Sequence, residues 1–166
     1  YISPRGEMYL HDGGVLKVKN LYSTRSTSWQ YGYGVAKNEG RDWFVMDGGR
    51  LEIGSGGIVG PRVPGITRFN FKNGEIVNTS AAWGCAQGMP LVFGDDEPGG
   101  SVTFDMAGYY VNWNTGLSGA SDVTIKGAAN FQGNRAEDRL QGAMVGKLTV
   151  ENTAGNDLRY ASAFCG

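Results

Sequence analysis

The sequence predicts an all-β fold, a right-handed parallel β-helix of about six coils with loop excursions, in a single domain spanning residues 1–166. Three observations predict it. A glycine-led, two-faced strand motif recurs along the chain, its spacing is that of stacked coils, and glycine is abundant (28 of 166 residues) while proline is scarce (5). There is no Gly-X-Y period, so the glycine content does not indicate collagen.

The motif is clearest at Asp47-Gly48-Gly49-Arg50-Leu51-Glu52-Ile53, with a close copy at Asp12-Gly13-Gly14-Val15-Leu16-Lys17-Val18. Apolar runs precede both, Trp43-Phe44-Val45-Met46 and Met8-Tyr9-Leu10. The same order of small residue, any residue, Leu or Val, any residue, then Ile, Val or Phe recurs at Gly100-Ser101-Val102-Thr103-Phe104, Ser121-Asp122-Val123-Thr124-Ile125 and Gly146-Lys147-Leu148-Thr149-Val150. A degraded copy is Gly74-Glu75-Ile76-Val77-Asn78. Alternation with period two puts Leu51 and Ile53 on one face and Arg50 and Glu52 on the other, the mark of a half-buried strand. The leading small residue suits a sharp bend or a positive φ.

Leading residues 14, 49, 74, 100, 121 and 146 are 35, 25, 26, 21 and 25 residues apart. A sandwich would place strands every 8–12 residues with clear hairpin turns, and an antiparallel sandwich of irregular strands is the alternative fold. Two aliphatic side chains per coil bury too little surface to order about 25 residues, so each coil needs its neighbours as cover. Six coils at about 4.8 Å each make a rod of only about 30 Å.

In chain order, Lys19-Asn20 marks a corner after the first strands. Residues 21–42 form the long interval, with Trp29, Tyr31, Tyr33 and Val35 alternating on one face. Residues 54–64 read as a turn-rich segment; Val59 stands where a dinucleotide-binding fingerprint requires its third glycine. The solenoid resumes over Thr67 to Asn78, and residues 79–99 are an irregular excursion ending in the acidic turn Asp95-Asp96-Glu97. Strands follow at 102–104, 109–113 and 117–125, then a polar stretch over 133–143 with room for a short helix from Arg135 to Leu140, and a last strand from Gly146 to Val150.

The second half resembles a known repeat. The order Val102-Thr103-Phe104-Asp105, then Leu117-Ser118-Gly119-Ala120-Ser121-Asp122-Val123-Thr124-Ile125-Lys126-Gly127, then Gly146-Lys147-Leu148-Thr149-Val150 is similar to the autotransporter-associated β-strand repeat of Gram-negative surface proteins. The resemblance covers about residues 100–155 and, more loosely, 44–78. It departs from the family pattern after Ile125, where Lys126 is followed directly by Gly127, and in having two cysteines. It implies a passenger-type protein, secreted or at the cell surface, including relatives in Verrucomicrobia and Lentisphaerae.

Charge is sparse and balanced, 15 basic against 16 acidic residues, without a like-charged block, so the electrostatic signature of a nucleic-acid partner is lacking. No run approaches 18 apolar residues, so no membrane-inserting helix is expected. The opening Tyr1-Ile2-Ser3-Pro4 and the uncapped end at Cys165-Gly166 suggest a portion of a longer chain. Cys85 and Cys165 are either two free thiols or a bridge. A bridge contributes about 4–5 kcal/mol in the chain-entropy account. It has to overcome a separation of about three coils, roughly 14 Å, where Cα atoms must lie within about 7 Å.

A single histidine, His11, leaves no histidine-rich metal site, and its neighbour Asp12 reads as a turn residue because Asp47 repeats it without a histidine. No cofactor, metal or catalytic residue is expected. Asp95, Asp96 and Glu97 offer oxygen ligands for calcium or a carboxylate pair for sugar hydrolysis, and Asp42, Asp47, Arg50 and Glu52 could line the groove of a sugar-cleaving enzyme; solvated turns and ordinary outward positions are the plainer reading. Trp29, Tyr31, Tyr33, Tyr109 and Trp113 are candidate carbohydrate contacts, since flat rings stack on sugar faces; filling or capping the solenoid is the alternative.

The expected role is non-catalytic: an extracellular structural or adhesin segment of a bacterial surface protein. Its partners would be adjacent repeats of the same polypeptide and host or environmental glycans. The alternatives are a carbohydrate-binding or carbohydrate-active β-helix protein acting on polysaccharide, and a self-assembling filament or virion subunit pairing through open ends.

Overall fold

Glycine-led segments far apart in the chain lie side by side as parallel strands. The computed structural model describes residues 8–22, 41–59, 67–80, 83–85, 91–94, 98–113, 117–127, 130–133, 146–151 and 158–159. The strands are β1 (Met8–His11), β2 (Val15–Tyr22), β3 (Arg41–Val59), β4 (Thr67–Asn78), β5 (Trp83–Cys85), β6 (Leu91–Val92), β7 (Ser101–Asp105), β8 (Tyr110–Trp113), β9 (Leu117–Ser118), β10 (Asp122–Lys126), β11 (Asn130–Gly133), β12 (Leu148–Glu151) and β13 (Leu158–Arg159). The described part is all-β, and every pairing in it is parallel. The antiparallel alternative therefore does not form there.

The pairings fall into three columns. One runs β1, residues 44–47 of β3, residues 69–73 of β4, β6 and β9. The second runs residues 15–18 of β2, 50–53 of β3, 75–78 of β4, β7, β10 and β12. The third runs residues 20–22 of β2, 57–59 of β3, β5, β8, β11 and β13.

Alternation explains the core. Leu51, Ile76, Phe104 and Ile125 stand opposite one another in the second column and are fully buried. Between the columns lies a phenylalanine cluster: Phe71 has ring-centroid distances of 6.0 Å to Phe44, 5.8 Å to Phe93 and 6.3 Å to Phe104, and Phe93 lies 5.7 Å from Phe104. Tilted and edge-on pairs of this kind add about 0.5–1.5 kcal/mol each to the burial of their surfaces.

Small residues form the corner between the first and second columns. Gly119 (φ 114°) lies so close to the Phe93 carbonyl that a Cβ would collide with it. Side chains tie successive levels together at this corner. Asn73 Nδ2 donates to Asp47 Oδ1 (2.9 Å), Ser101 N donates to Asn73 Oδ1 (3.0 Å), and Lys147 N donates to Asp122 Oδ1 (2.8 Å). Asp12 lies in the turn between β1 and β2, as its reading as a turn residue expects, whereas Asp47 lies within β3.

The structure departs from the sequence reading in four places. Lys19-Asn20 is a corner, as expected, but one inside β2, and residues 54–59 are strand and not a loop. The two segments stack as one corner, with a register shift between Val18 and Asn20, after which Asn20 pairs with Gly57. Side-chain-free Gly54 and Gly56 let the backbones approach there. The excursion over 79–99 contains two short strands, so Cys85 lies on β5, opposite Ile58 and Trp113, and not in a loop. The degraded repeat, finally, does not pair in phase with the next copy. Ile76 stands opposite Phe104 and Gly74 opposite Val102, a slip of two residues. Asn78 occupies the position where other copies carry an apolar residue, and the slip spares Phe104 that polar neighbour. Because side chains repeat every two residues, the slip keeps each face where it was. The stretch over 135–140 and the acidic turn at 95–97 lie outside the described residues.

Candidate functional site

Outward positions of the second column carry the strongest concentration of chemistry among the described residues. Lys17, Glu52, Val77, Asp105, Lys126 and Glu151 form one row, and Val15, Arg50, Glu75, Thr103, Thr124 and Thr149 form the next. Apart from Val77, which is itself buried, they alternate with the buried positions of their strands and so lie on the other face.

The charges are arranged in a chain of pairs. Lys17 Nζ lies 2.9 Å from Glu52 Oε2, and Arg50 Nε lies 3.0 Å from Glu52 Oε1. Arg50 Nη1 pairs with Glu75 Oε2. Lys126 Nζ lies 3.7 Å from Glu75 Oε1 and 3.6 Å from Asp105 Oδ2. Lys17 in the first place, then Arg50, hold Glu52 below the usual carboxylate range. Glu52 in turn, with Glu75, holds the Arg50 guanidinium above its ordinary value.

General acid catalysis of sugar cleavage needs a carboxyl whose pKa is raised so that it keeps a proton near neutral pH. Glu52 is driven the other way. Asp47 is exposed and bonded to Asn73, and the side chain of Asp42 lies outside the described residues. Among the described residues no three His, Cys, Asp or Glu side chains converge to hold a metal ion.

The aromatic candidates divide differently. Trp29, Tyr31 and Tyr33 lie outside the described residues, as does Cys165. Tyr109 is 39% exposed at a turn in which Ala107 adopts φ 49°, Ala107 N donates to Asp105 Oδ1 (2.9 Å) and Tyr109 N donates to the Met106 carbonyl (2.9 Å). Trp113 ends β8, and only its backbone is described. On β1, Tyr9 (53% exposed) stacks against His11, with ring centroids 5.9 Å apart and planes 5° apart. That pair was not singled out from sequence; its signal was an aromatic and a histidine two apart on a strand.

Comparison with protein-family models, curated proteins and solved structures gives no significant match.

Proposed function

We propose that the chain is a stretch of right-handed parallel β-helix serving as a rigid, non-catalytic segment of an extracellular bacterial surface protein of the autotransporter type. The reading is supported most by the outward ladder, in which Lys17, Arg50 and Lys126 pair with Glu52, Glu75 and Asp105. Its ion pairs join neighbouring strands, and Lys17 and Arg50 hold Glu52 in its charged form. The three parallel columns are what a chain winding through one strand per column at each level would produce. The surface location rests on the repeat resemblance over residues 100–155. The test is to incubate the chain with acidic and neutral polysaccharides and follow new reducing or unsaturated ends, and to treat intact source cells with protease. The reading expects no sugar release and loss of the protein from the cell surface. Steady release of sugars, or full protection from protease, contradicts it.

A carbohydrate-binding role is the second reading, favoured by the exposed Tyr109 side chain. On a glycan array, Tyr109→Ala and the pair Trp29→Ala, Tyr31→Ala would each remove binding if those rings stack on sugar; an array with no hits for the parent chain removes this reading.

A further inference from the structure

We propose that Asn73-Gly74 is a site of spontaneous deamidation that the folded corner holds closed, so that opening this corner becomes irreversible once Asn73 has reacted. The site lies inside the ladder, on β4, with β3 paired on one side and β7 on the other.

Asn73 is the only asparagine in the sequence that precedes glycine. Glycine has no side chain to shield its backbone nitrogen, so that nitrogen can attack the preceding side-chain amide. The Gly74 nitrogen bonds to Asn73 Cγ, the Cγ–Nδ2 bond breaks, and the proton lost from the nitrogen leaves through solvent with the departing ammonia. Water then opens the cyclic imide at either carbonyl. The products are aspartate and isoaspartate, the latter with its main chain running through Cβ.

The corner requires both residues of the pair. A Cβ on Gly74 would stand 2.8 Å from the Gly49 carbonyl oxygen, and Gly74 adopts φ 119°. Asn73 uses both ends of its amide: Nδ2 donates to Asp47 Oδ1 (2.9 Å) on β3, and Oδ1 accepts from Ser101 N (3.0 Å) on β7. Aspartate can fill the second role but not the first, because an ionised carboxylate is acceptor-only.

The same two bonds hold the reaction back. Cyclisation expels Nδ2, which Asp47 holds, and closes the side chain onto its own backbone, whereas here it is bonded to the strands on either side. Either product puts a carboxylate against Asp47, a like-charge contact where a hydrogen bond stood. Isoaspartate also lengthens the main chain of β4 between Asn73, paired with Asp47, and Gly74, paired with Val102.

The test incubates the whole chain at mildly alkaline pH, folded and in urea. Mass spectrometry follows the peptide that contains Asn73, and an isoaspartate-specific methyltransferase counts the isomer. Reaction in the folded parent should be about tenfold or more slower than in urea, the combined effect of the two hydrogen bonds. Folded Asp47→Ala, which loses the acceptor for Nδ2, should react about fivefold faster than the folded parent. Asn73→Asp should melt below the parent at neutral pH, and adding Asp47→Asn should recover most of the loss by reversing donor and acceptor. Circular dichroism checks that each variant is folded; where Asp47→Ala is not, the Asn73→Asp melts decide. A folded parent that reacts as fast as the chain in urea overturns the proposal. So does a folded Asp47→Ala chain that reacts no faster, or an Asn73→Asp chain that melts with the parent.

Discussion

Glu52 shows how much a single outward side chain depends on register. Its two cationic partners come from different strands and different turns of sequence, Lys17 on β2 and Arg50 on β3. With its folded pKa lowered, its contribution is fully present above the ordinary glutamate value of about 4.3 and is lost as pH falls through the folded value. Thermal melts should therefore drop on acidification, and Glu52→Gln should flatten that acid limb while lowering the melting temperature at neutral pH. An acid limb unchanged in the variant would show that the pair contributes nothing. Glycines offer a second test at this scale. Gly99 and Gly119 have similar backbone angles, φ 117° and 114°, but a Cβ on Gly99 meets nothing within 4 Å, whereas one on Gly119 collides with the Phe93 carbonyl. Gly99→Ala should cost about 1–2 kcal/mol from backbone strain alone. Gly119→Ala should cost about 1–3 kcal/mol more by denaturant titration.

At the scale of strands, the phenylalanine cluster bridges the place where the two in-phase blocks of repeats meet with a slip. Phe71 contacts Phe44, Phe69, Phe93 and Phe104. Phe71→Ala should lower unfolding stability by about 3–5 kcal/mol, whereas Tyr109→Ala, at an exposed turn, should change it by less than about 0.5 kcal/mol. Equal effects in urea titration would mean that this cluster is not the centre of the core. The second column was legible in the sequence because its apolar positions alternate and a small residue leads each strand. The slip between β4 and β7 was not, since it depends on which neighbour Ile76 finds when Asn78 stands where other copies are apolar. Strands of the third column were read only partly: β5 offers three residues, Trp83-Gly84-Cys85, too few for a periodic signal, and it pairs by virtue of the levels on either side of it.

For the whole molecule, the spacing of the repeats announced stacking, and the parallel pairings agree with it. The ion-pair ladder could not be read in advance, because Lys17 and Glu52 are 35 residues apart and meet only once β2 and β3 are in register. Of the proposed aromatic contacts, only Tyr109 has a described side chain, so that part of the candidate site is legible as composition and not as geometry. The central claim concerns the stacking itself: Lys17, Glu52, Val77, Asp105, Lys126 and Glu151 occupy successive places along one row. Paired spin labels test it most directly, with one label at Lys17 and the other at Asp105, Lys126 or Glu151, in a chain carrying Cys85→Ser and Cys165→Ser and diluted with unlabelled protein. Backbone separations should rise in even steps, about 14, 19 and 24 Å, at about 4.8 Å for each strand crossed. Distances that fail to increase in that order would contradict the parallel stack and every functional reading built on it.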